Sequence, residues 1–248
     1  MTNLVKVGSK TAKQGFQNEK DVAKAFLDWE NNKTTQEWLV IMEYNISNIE
    51  WIKAEIINGH KADIVVEIKV KFKTASTSEN IQVKLVTGGN FNQIDKRWAD
   101  KYAEMWDMPN DILDILKRFA GELPPTCNNP KDKRRMFINE FTDKEQKKLF
   151  KWLNDNKTLI LTDILKGRGQ FASEWYLVIK KNHKSMTDWI LQPINKVLNH
   201  FAKGEIKPTA RGSININGIT LQRKGGDGGR KTANMLQFKI KPYDLKDI

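Results

Sequence analysis

Apolar positions along this chain recur with two different periods, and the changes of period mark out its elements. Val22, Ala23, Phe26 and Trp29 return at helical spacing while Lys20, Lys24 and Asp28 turn away, which predicts a helix over about residues 15–30. Trp38 to Met42 and Ile49 to Ile57 read as extended or mixed. From Asp63 to Phe72 the period becomes two: Ile64, Val66, Ile68, Val70 and Phe72 alternate with a largely polar set that includes Asp63, Glu67, Lys69 and Lys71. A polar turn region over Thr74 to Asn80 leads to a second strand, Ile81 to Val86, which Gly88-Gly89-Asn90 ends.

Further on, residues of about 91–118 read as helical, and Gly121 to Pro130 is a proline-containing break. Lys144 to Leu153 is a predicted helix. Leu159 to Ile164 and Trp175 to Lys180 are predicted strands split by the Gly167-Arg168-Gly169 turn, and Thr187 to Phe201 is a predicted helix. The chain closes in a predicted hairpin of Ser213 to Arg223 and Asn234 to Ile240, joined through Gly225-Gly226-Asp227-Gly228-Gly229. This mixed order predicts an α+β fold with helices around one central sheet. The breaks near 121–131 and 203–211 are loops within one domain or weak domain edges.

Composition adds a preference for partners. The chain has 248 residues, enough for one large domain or two small ones, and its 42 Lys and Arg against 30 Asp and Glu leave +12. Such a surplus favours a polyanion, because each cation that neutralises a phosphate also releases condensed counterions; the plainer alternative is a merely basic soluble protein. Cys127 is the sole cysteine, so no intrachain disulfide forms, and His60, His183 and His200 lack the spacing of a zinc site. The first residues lack the apolar run of a signal peptide and no stretch approaches a membrane span. The expectation is a soluble protein of the cytoplasm with no membrane partner.

The strand pair carries candidate chemistry. Asp63 begins one strand, and Gln82 and Lys84, two residues apart, share a face of the next. If the two strands pair, Asp63 meets both. A carboxylate holds Mg²⁺ through a hard oxygen, an ammonium beside it positions the attacking water and offsets developing charge, and the Gln82 amide oxygen could ligate without bringing charge. The alternative is three solvated residues on a polar face. Glu19 lies three, four and seven residues before Val22, Ala23 and Phe26, and so points along the apolar stripe. There it is paired, protonated or metal-bound, or else an acid complementing the dipole of a first helical turn.

The segment Gln222-Arg223-Lys224 to Arg230-Lys231-Thr232-Ala233-Asn234 packs cations and amides around glycines, and Gln237 and Lys239 share a strand face beyond it. Such residues approach phosphates and read base edges, Arg toward guanine and Asn or Gln toward other edges; a solvated hairpin is the alternative. Phe91 to Trp98, with Gln93 and Lys96, follows the candidate active strand and could insert at DNA, unless Ile94 and Trp98 start a helix in the core. Lys131, Lys133, Arg134 and Arg135 are phosphate contacts or a solvated charge run.

The stretches GSKTAKQGFQNEKD, DIVV followed by NIQVKLV, FNQIDKRW, GELPP, KDKRRMF, LTDILKGRGQFASEW, RGSININ and LQRKGGDGGRKTANMLQFKI resemble the HinP-type, GCGC-cutting type II restriction endonucleases over nearly the whole chain. The C-terminal stretch is also similar to that of Msp-type CCGG cutters. The resemblance implies a PD-(D/E)XK restriction-endonuclease-like core with a central mixed sheet, one domain over 1–248, a catalytic part of about 1–120 and a DNA-recognition part of about 121–248. It implies Mg²⁺-dependent cleavage of double-stranded DNA at a four-base palindrome, with Asp63, Gln82 and Lys84 as catalytic residues. The candidate ligand set is Asp63, Gln82, Val83 and Glu19, for one or two ions. The candidate DNA contacts are Gln93, Lys96, Arg134, Arg135, Arg211, Arg223, Lys224, Asn234, Gln237 and Lys239. Ala62 stands where a Ser is expected before the aspartate, a departure that touches at most a supporting hydrogen bond. A cognate DNA methyltransferase is implied genetically, and the enzyme is expected as a monomer or weak homodimer.

Overall fold

A computed structural model describes residues 2–71, 76–86, 91–182, 185–226, 230–246 and 248. Thr74 and Ala75 of the expected turn region, Phe72 of the expected strand, the Gly88-Gly89-Asn90 strand end and the Asp227-Gly228-Gly229 centre of the hairpin loop lie outside the described residues. The chain divides into two compact units interleaved along the sequence. The first comprises Val7–Asn90, Leu165–Leu198 and Pro242–Ile248; the second comprises Met1–Lys6, Phe91–Ile164 and Asn199–Lys241.

The first unit is built on a mixed five-stranded sheet. β1 (Ile49–Ile56), β2 (Ile64–Val70) and β3 (Ser76–Val86) form an antiparallel run. β5 (Trp175–Asn182) lies parallel to β3, and β6 (Ser185–Pro193) lies antiparallel to β5, giving the order β1-β2-β3-β5-β6. The parallel pairing of β3 and β5 joins segments about ninety residues apart, as a crossover connection requires. One face of this sheet carries Ile64, Val66, Ile68, Ile81, Val83, Leu177 and Ile179, all buried. Against it pack Val22 and Phe26 of α1 (Thr2–Leu27) and Trp38 and Leu39 of α2 (Lys33–Ile41). The Phe26 and Trp38 rings are 5.5 Å apart, and Trp189 meets Trp38 edge-on at 6.1 Å.

The second unit holds an antiparallel sheet in the order β4-β10-β9-β8-β7. Its strands are β4 (Asn92–Arg97), β7 (Ile206–Pro208), β8 (Ile214–Ile216), β9 (Ile219–Arg223) and β10 (Leu236–Ile240). The helices of this unit are α3 (Ala99–Trp106), α4 (Asn110–Ala120), α5 (Asp143–Asp155) and α6 (Lys157–Leu161), and α7 (Ile194–Ala202) follows β6. α4 packs on α3, α5 and β9. Tyr102 stacks on Trp106 at 4.7 Å and meets Phe238 of β10 edge-on at 5.5 Å.

The fold is α+β as expected, with two sheets in place of one. Six further readings change. Ser76 to Asn80, expected in a turn, extends β3 because β2 pairs with it from Ile64 to Lys69. Ser213 to Arg223, expected as one strand, is β8 and β9, which reverse at Asn217-Gly218, both with positive φ. Trp38 to Ile41 is helical because Asn32 caps α2 by accepting from Thr35 N–H at 3.1 Å. Residues 92–97 form a strand instead of a helix start, since β10 supplies a ladder from nearly 150 residues away. Leu159 to Ile164 is helical, ending in a π turn over Thr162–Lys166 whose Asp163 accepts from the buried Trp106 Nε1–H at 2.9 Å. The predicted helix at 187–201 is β6 up to Pro193, and only then α7. Phe26→Ala opens a cavity in the first unit's core and should lower stability by about 3–5 kcal/mol. Urea or thermal unfolding of the variant beside the parent checks this.

Candidate active site and nucleic-acid interface

Asp63 sits one residue before β2, where the ladder to β3 begins with Ile64 opposite Ile81. Its backbone N–H donates to Ile81 O at 3.0 Å, and its carbonyl accepts from Ile57 N–H at 3.0 Å, so the main chain is fixed on both sides. Its carboxylate is fixed too: Val83 N–H donates to Asp63 Oδ2 at 2.7 Å. Lys84 Nζ lies 3.8 Å from the same oxygen, with both side chains mostly buried. Because Ile81 and Val83 face the core, Gln82 and Lys84 project from the other face. The sequence-predicted trio is therefore brought together.

Two features of this site concern cations. Gln82 is 2% exposed, and its Oε1 is buried with no hydrogen-bond partner. An acceptor left in that condition costs about 1–3 kcal/mol, and a bound cation would satisfy it. Glu19 of α1 has its carboxyl pushed up to about 7, first by burial and then by the negative charge of Asp63, with Lys84 acting in the opposite sense. The field that disfavours a second carboxylate here is the one a cation would relieve. Asp63, Glu19, Gln82 and the Val83 backbone carbonyl offer only hard oxygens, the donor type suited to Mg²⁺. Among the described residues no group of three or more His, Cys, Asp or Glu side chains is placed to hold a metal, so an ion here would depend on the amide and on backbone oxygen.

Tyr176 was not legible as a site residue. It lies opposite Gln82 in the parallel β3–β5 pairing, is fully buried, and has a hydroxyl with no partner. Burial, and then the Asp63 charge, hold that hydroxyl strongly in its protonated form. Nothing in a tyrosine within an apolar strand signals such a position before the β3–β5 register is known.

All ten nucleic-acid candidates lie in the second unit. The β10 register sets Gln237 opposite Lys96 of β4 and Gln222 of β9. An irregularity after Phe238 then sets Lys239 opposite Gln93 of β4 and Thr220 of β9. Phe238 is buried on the other face, so these side chains form polar rows on one face of the sheet. Gln93 is exposed; Gln237 is buried, and its amide donates to the carbonyls of Lys224 at 3.3 Å and Arg223 at 3.5 Å.

Beside the hairpin lies a cleft of about 700 Å³ lined by Lys133, Arg134, Arg223, Arg230, Lys231 and Asn234 together with the segment Gly121–Pro124. Arg134 is held two-pronged by Asp132, at 2.9 and 3.0 Å. Arg135 stacks over Phe137 at 4.1 Å, and burial and the neighbouring Arg223 disfavour its charge. Lys224 closes the hairpin through its backbone N–H to Met235 O at 2.8 Å. Arg211 is exposed in the β7–β8 turn, whose next residue, Gly212, accepts from Ile138 N–H at 2.9 Å and lies against Phe137.

The R.HinP1I restriction endonuclease family model matches residues 42–246. This chain belongs to that family. It is accordingly a type II site-specific nuclease. The enzyme's fold is similar to that of the restriction endonuclease MspI, solved in complex with its cognate DNA: the TM-score is 0.66 at 13% identity, over 95% of this chain and 92% of that one. No curated protein matches the chain. No helix among the described residues is long and apolar enough to cross a membrane.

The raised Glu19 group has a consequence for stability. Its folded-state value of about 7 exceeds the ordinary 4.5, so the folded state binds the proton more tightly. The contribution is present in full below 4.5 and is lost as pH rises through about 7. The metal-free enzyme should therefore lose stability across that window, and Glu19→Gln should flatten the loss. Thermal unfolding of both proteins from pH 4 to 8, with chelator present, checks this.

Proposed function

We propose that this enzyme hydrolyses double-stranded DNA at GCGC in a Mg²⁺-dependent reaction, leaving 5′-phosphate ends with a short 5′ overhang. The observation that carries this reading is the buried, partnerless Gln82 Oε1 beside an Asp63 carboxylate fixed by Val83 N–H and Lys84. Asp63, Gln82, the Val83 carbonyl and Glu19 are the residues that would hold one or two ions. The ion, when bound, polarises the scissile phosphate and lowers the pKa of water.

The chain's own groups do the rest. Lys84 Nζ, held near Asp63, orients the attacking water and offsets charge that builds on the phosphoryl oxygens. The water oxygen bonds to phosphorus, the bond from phosphorus to the 3′ oxygen breaks, and the 3′ oxygen leaves with a proton. The phosphate stays on the 5′ side.

Duplex DNA as substrate is supported by the net +12, by the cationic cleft, and by the cognate DNA bound to the structurally similar MspI. GCGC presents guanine O6 and N7 acceptors and cytosine N4 donors, which suit the Gln93, Lys96, Gln237 and Lys239 rows and the arginines of the cleft. Arg211, exposed in the β7–β8 turn, fits a phosphate contact. A methyltransferase acting on the same site would be the genetic partner, the enzyme would act in the cytoplasm, and a monomer or weak homodimer would serve a four-base palindrome.

Digestion of a sequenced plasmid with Mg²⁺, beside an EDTA control, tests the reading. Discrete fragments whose ends map to GCGC are expected. Ends at CCGG or another tetranucleotide overturn the target and keep the chemistry. An intact, unmethylated plasmid overturns the function and favours a protein that binds without cutting. Asp63→Ala should abolish cleavage with duplex binding largely retained, and Lys84→Ala should lower the single-turnover rate by about 10²–10³. Quench-flow and gel-shift measurements check both.

A further inference from the structure

Two of the candidate DNA contacts have unequal parts. Arg223 ends β9, and Asn234 lies across the hairpin from it, just before β10. The hairpin closes between them through Lys224 N–H to Met235 O at 2.8 Å and Gly225 N–H to Ala233 O at 2.9 Å. Arg223 NH2 donates to Asn234 Oδ1 at 2.6 Å, and Asn234 Nδ2 donates to Gly121 O at 2.7 Å. Both ends of the Asn234 amide are therefore engaged within the protein. Gly121, the α4 C-cap with φ 87°, lets the Arg134 carbonyl and the Arg223 side chain lie close: a Cβ there would stand 2.8 Å from Arg134 O and 3.5 Å from Arg223 Nε.

The Arg223 guanidinium is the under-satisfied member of the cleft. Its Nε is buried without a hydrogen-bond partner among the described residues, and the acceptor that its terminal nitrogen reaches, the Asn234 amide oxygen, is neutral. Burial and then the nearby Arg134 charge work against its protonated form, with Asp132 acting in the opposite sense. Arg134 differs in being exposed and neutralised two-pronged by Asp132. A guanidinium offers five donors in a planar fork, and one bond to a fixed amide sets the orientation of that plane. Orientation matters little for a point-charge contact to a phosphate. It decides a two-bond contact to the O6 and N7 acceptors of guanine.

We infer that Arg223 is a specificity-determining residue that reads a guanine edge, and that Asn234 is a positioning residue that fixes the plane of the Arg223 fork by tying it to the α4 C-cap. This rests on the proposed reading of the enzyme as a cutter of double-stranded DNA. Asn234 touches no base. Its loss acts through Arg223 alone.

The test uses the full-length enzyme and short duplexes carrying its mapped target or a target changed at one base pair. The readout is the ratio of kcat/KM between the two duplexes. Arg223→Lys, which keeps the charge and loses the fork, should lower that ratio by roughly 5- to 150-fold. Asn234→Ala should lower it in the same direction, and the double variant should lose no more than Arg223→Lys alone. If Asn234→Ala does not fold, Arg223→Lys still decides the reading role. An unchanged ratio overturns the inference. So does an equal loss on both duplexes with a shallower salt dependence of binding, which would make Arg223 a phosphate contact. Multiplicative effects in the double variant overturn the positioning role. Failure of the parent to cleave any duplex would instead sink the underlying function before any ratio is measured.

Discussion

The bond from Val83 N–H to Asp63 Oδ2 holds the catalytic candidates in one frame. At 2.7 Å it ties a carboxylate just outside the β2–β3 ladder to the backbone of the neighbouring strand. The same β3 segment turns Val83 inward and presents Gln82 and Lys84 on the other face. One hydrogen bond thus sets the separation of Asp63 from the amide and the ammonium beside it. Charge follows from that placement. Asp63 gains Lys84 at 3.8 Å, and Glu19, close enough to feel both, is pushed toward its neutral form. A cation bound among these oxygens would reverse the balance and release the Glu19 proton.

Unsatisfied polar atoms mark both ends of the function. Among the described residues eight buried side-chain atoms lack a partner, and four of them flank the two candidate sites: Gln82 Oε1 and Tyr176 OH in the first unit, Arg135 Nε and Arg223 Nε in the second. Arg135 Nε has the Asp132 carboxylate as an ion-pair partner at 3.7 Å; Gln82 Oε1 and Arg223 Nε are stability costs that a ligand can recover, an acceptor awaiting a cation in one case and a donor awaiting an acceptor in the other. The remaining four, on Asn18, Trp38, Tyr102 and Ser173, have no such explanation in the structure.

Local patterns made the strand pair that carries the candidate site readable, and the topology less so. Period-two alternation over Ile64 to Val70 and the closely spaced Gln82 and Lys84 made the strand pair readable, because both signals lie within thirty residues. The β9–β10 pairing of the C-terminal hairpin was readable for the same reason, but the Asn217-Gly218 turn that splits Ser213 to Arg223 into β8 and β9 was missed. Asn92 to Arg97 reads as a helix start because Ile94 and Trp98 have helical spacing, and only the distant partner β10 makes it a strand. The short apolar run at Leu159 to Ile164 fits either a strand or a buried helix turn, and the Trp106–Asp163 bond accompanies the second outcome. Tyr176 and the split role of Arg223 and Asn234 depend on cross-strand register, which no composition or period encodes. The resemblance of the quoted stretches to HinP-type enzymes pointed to the family that the match over residues 42–246 shows.

The most direct test of the account is the divalent-ion affinity of Gln82→Leu, measured by calorimetry with Ca²⁺ or Mn²⁺ on the DNA-free enzyme, together with its thermal stability. The leucine keeps the volume and removes the orphaned acceptor. If Gln82 Oε1 is a metal ligand, ion affinity falls by about 10-fold or more, as loss of a metal-site contact does, while the fold is equally or more stable. Unchanged ion affinity would contradict the account, because the buried amide oxygen would then serve no cation and the site would lose its defining feature.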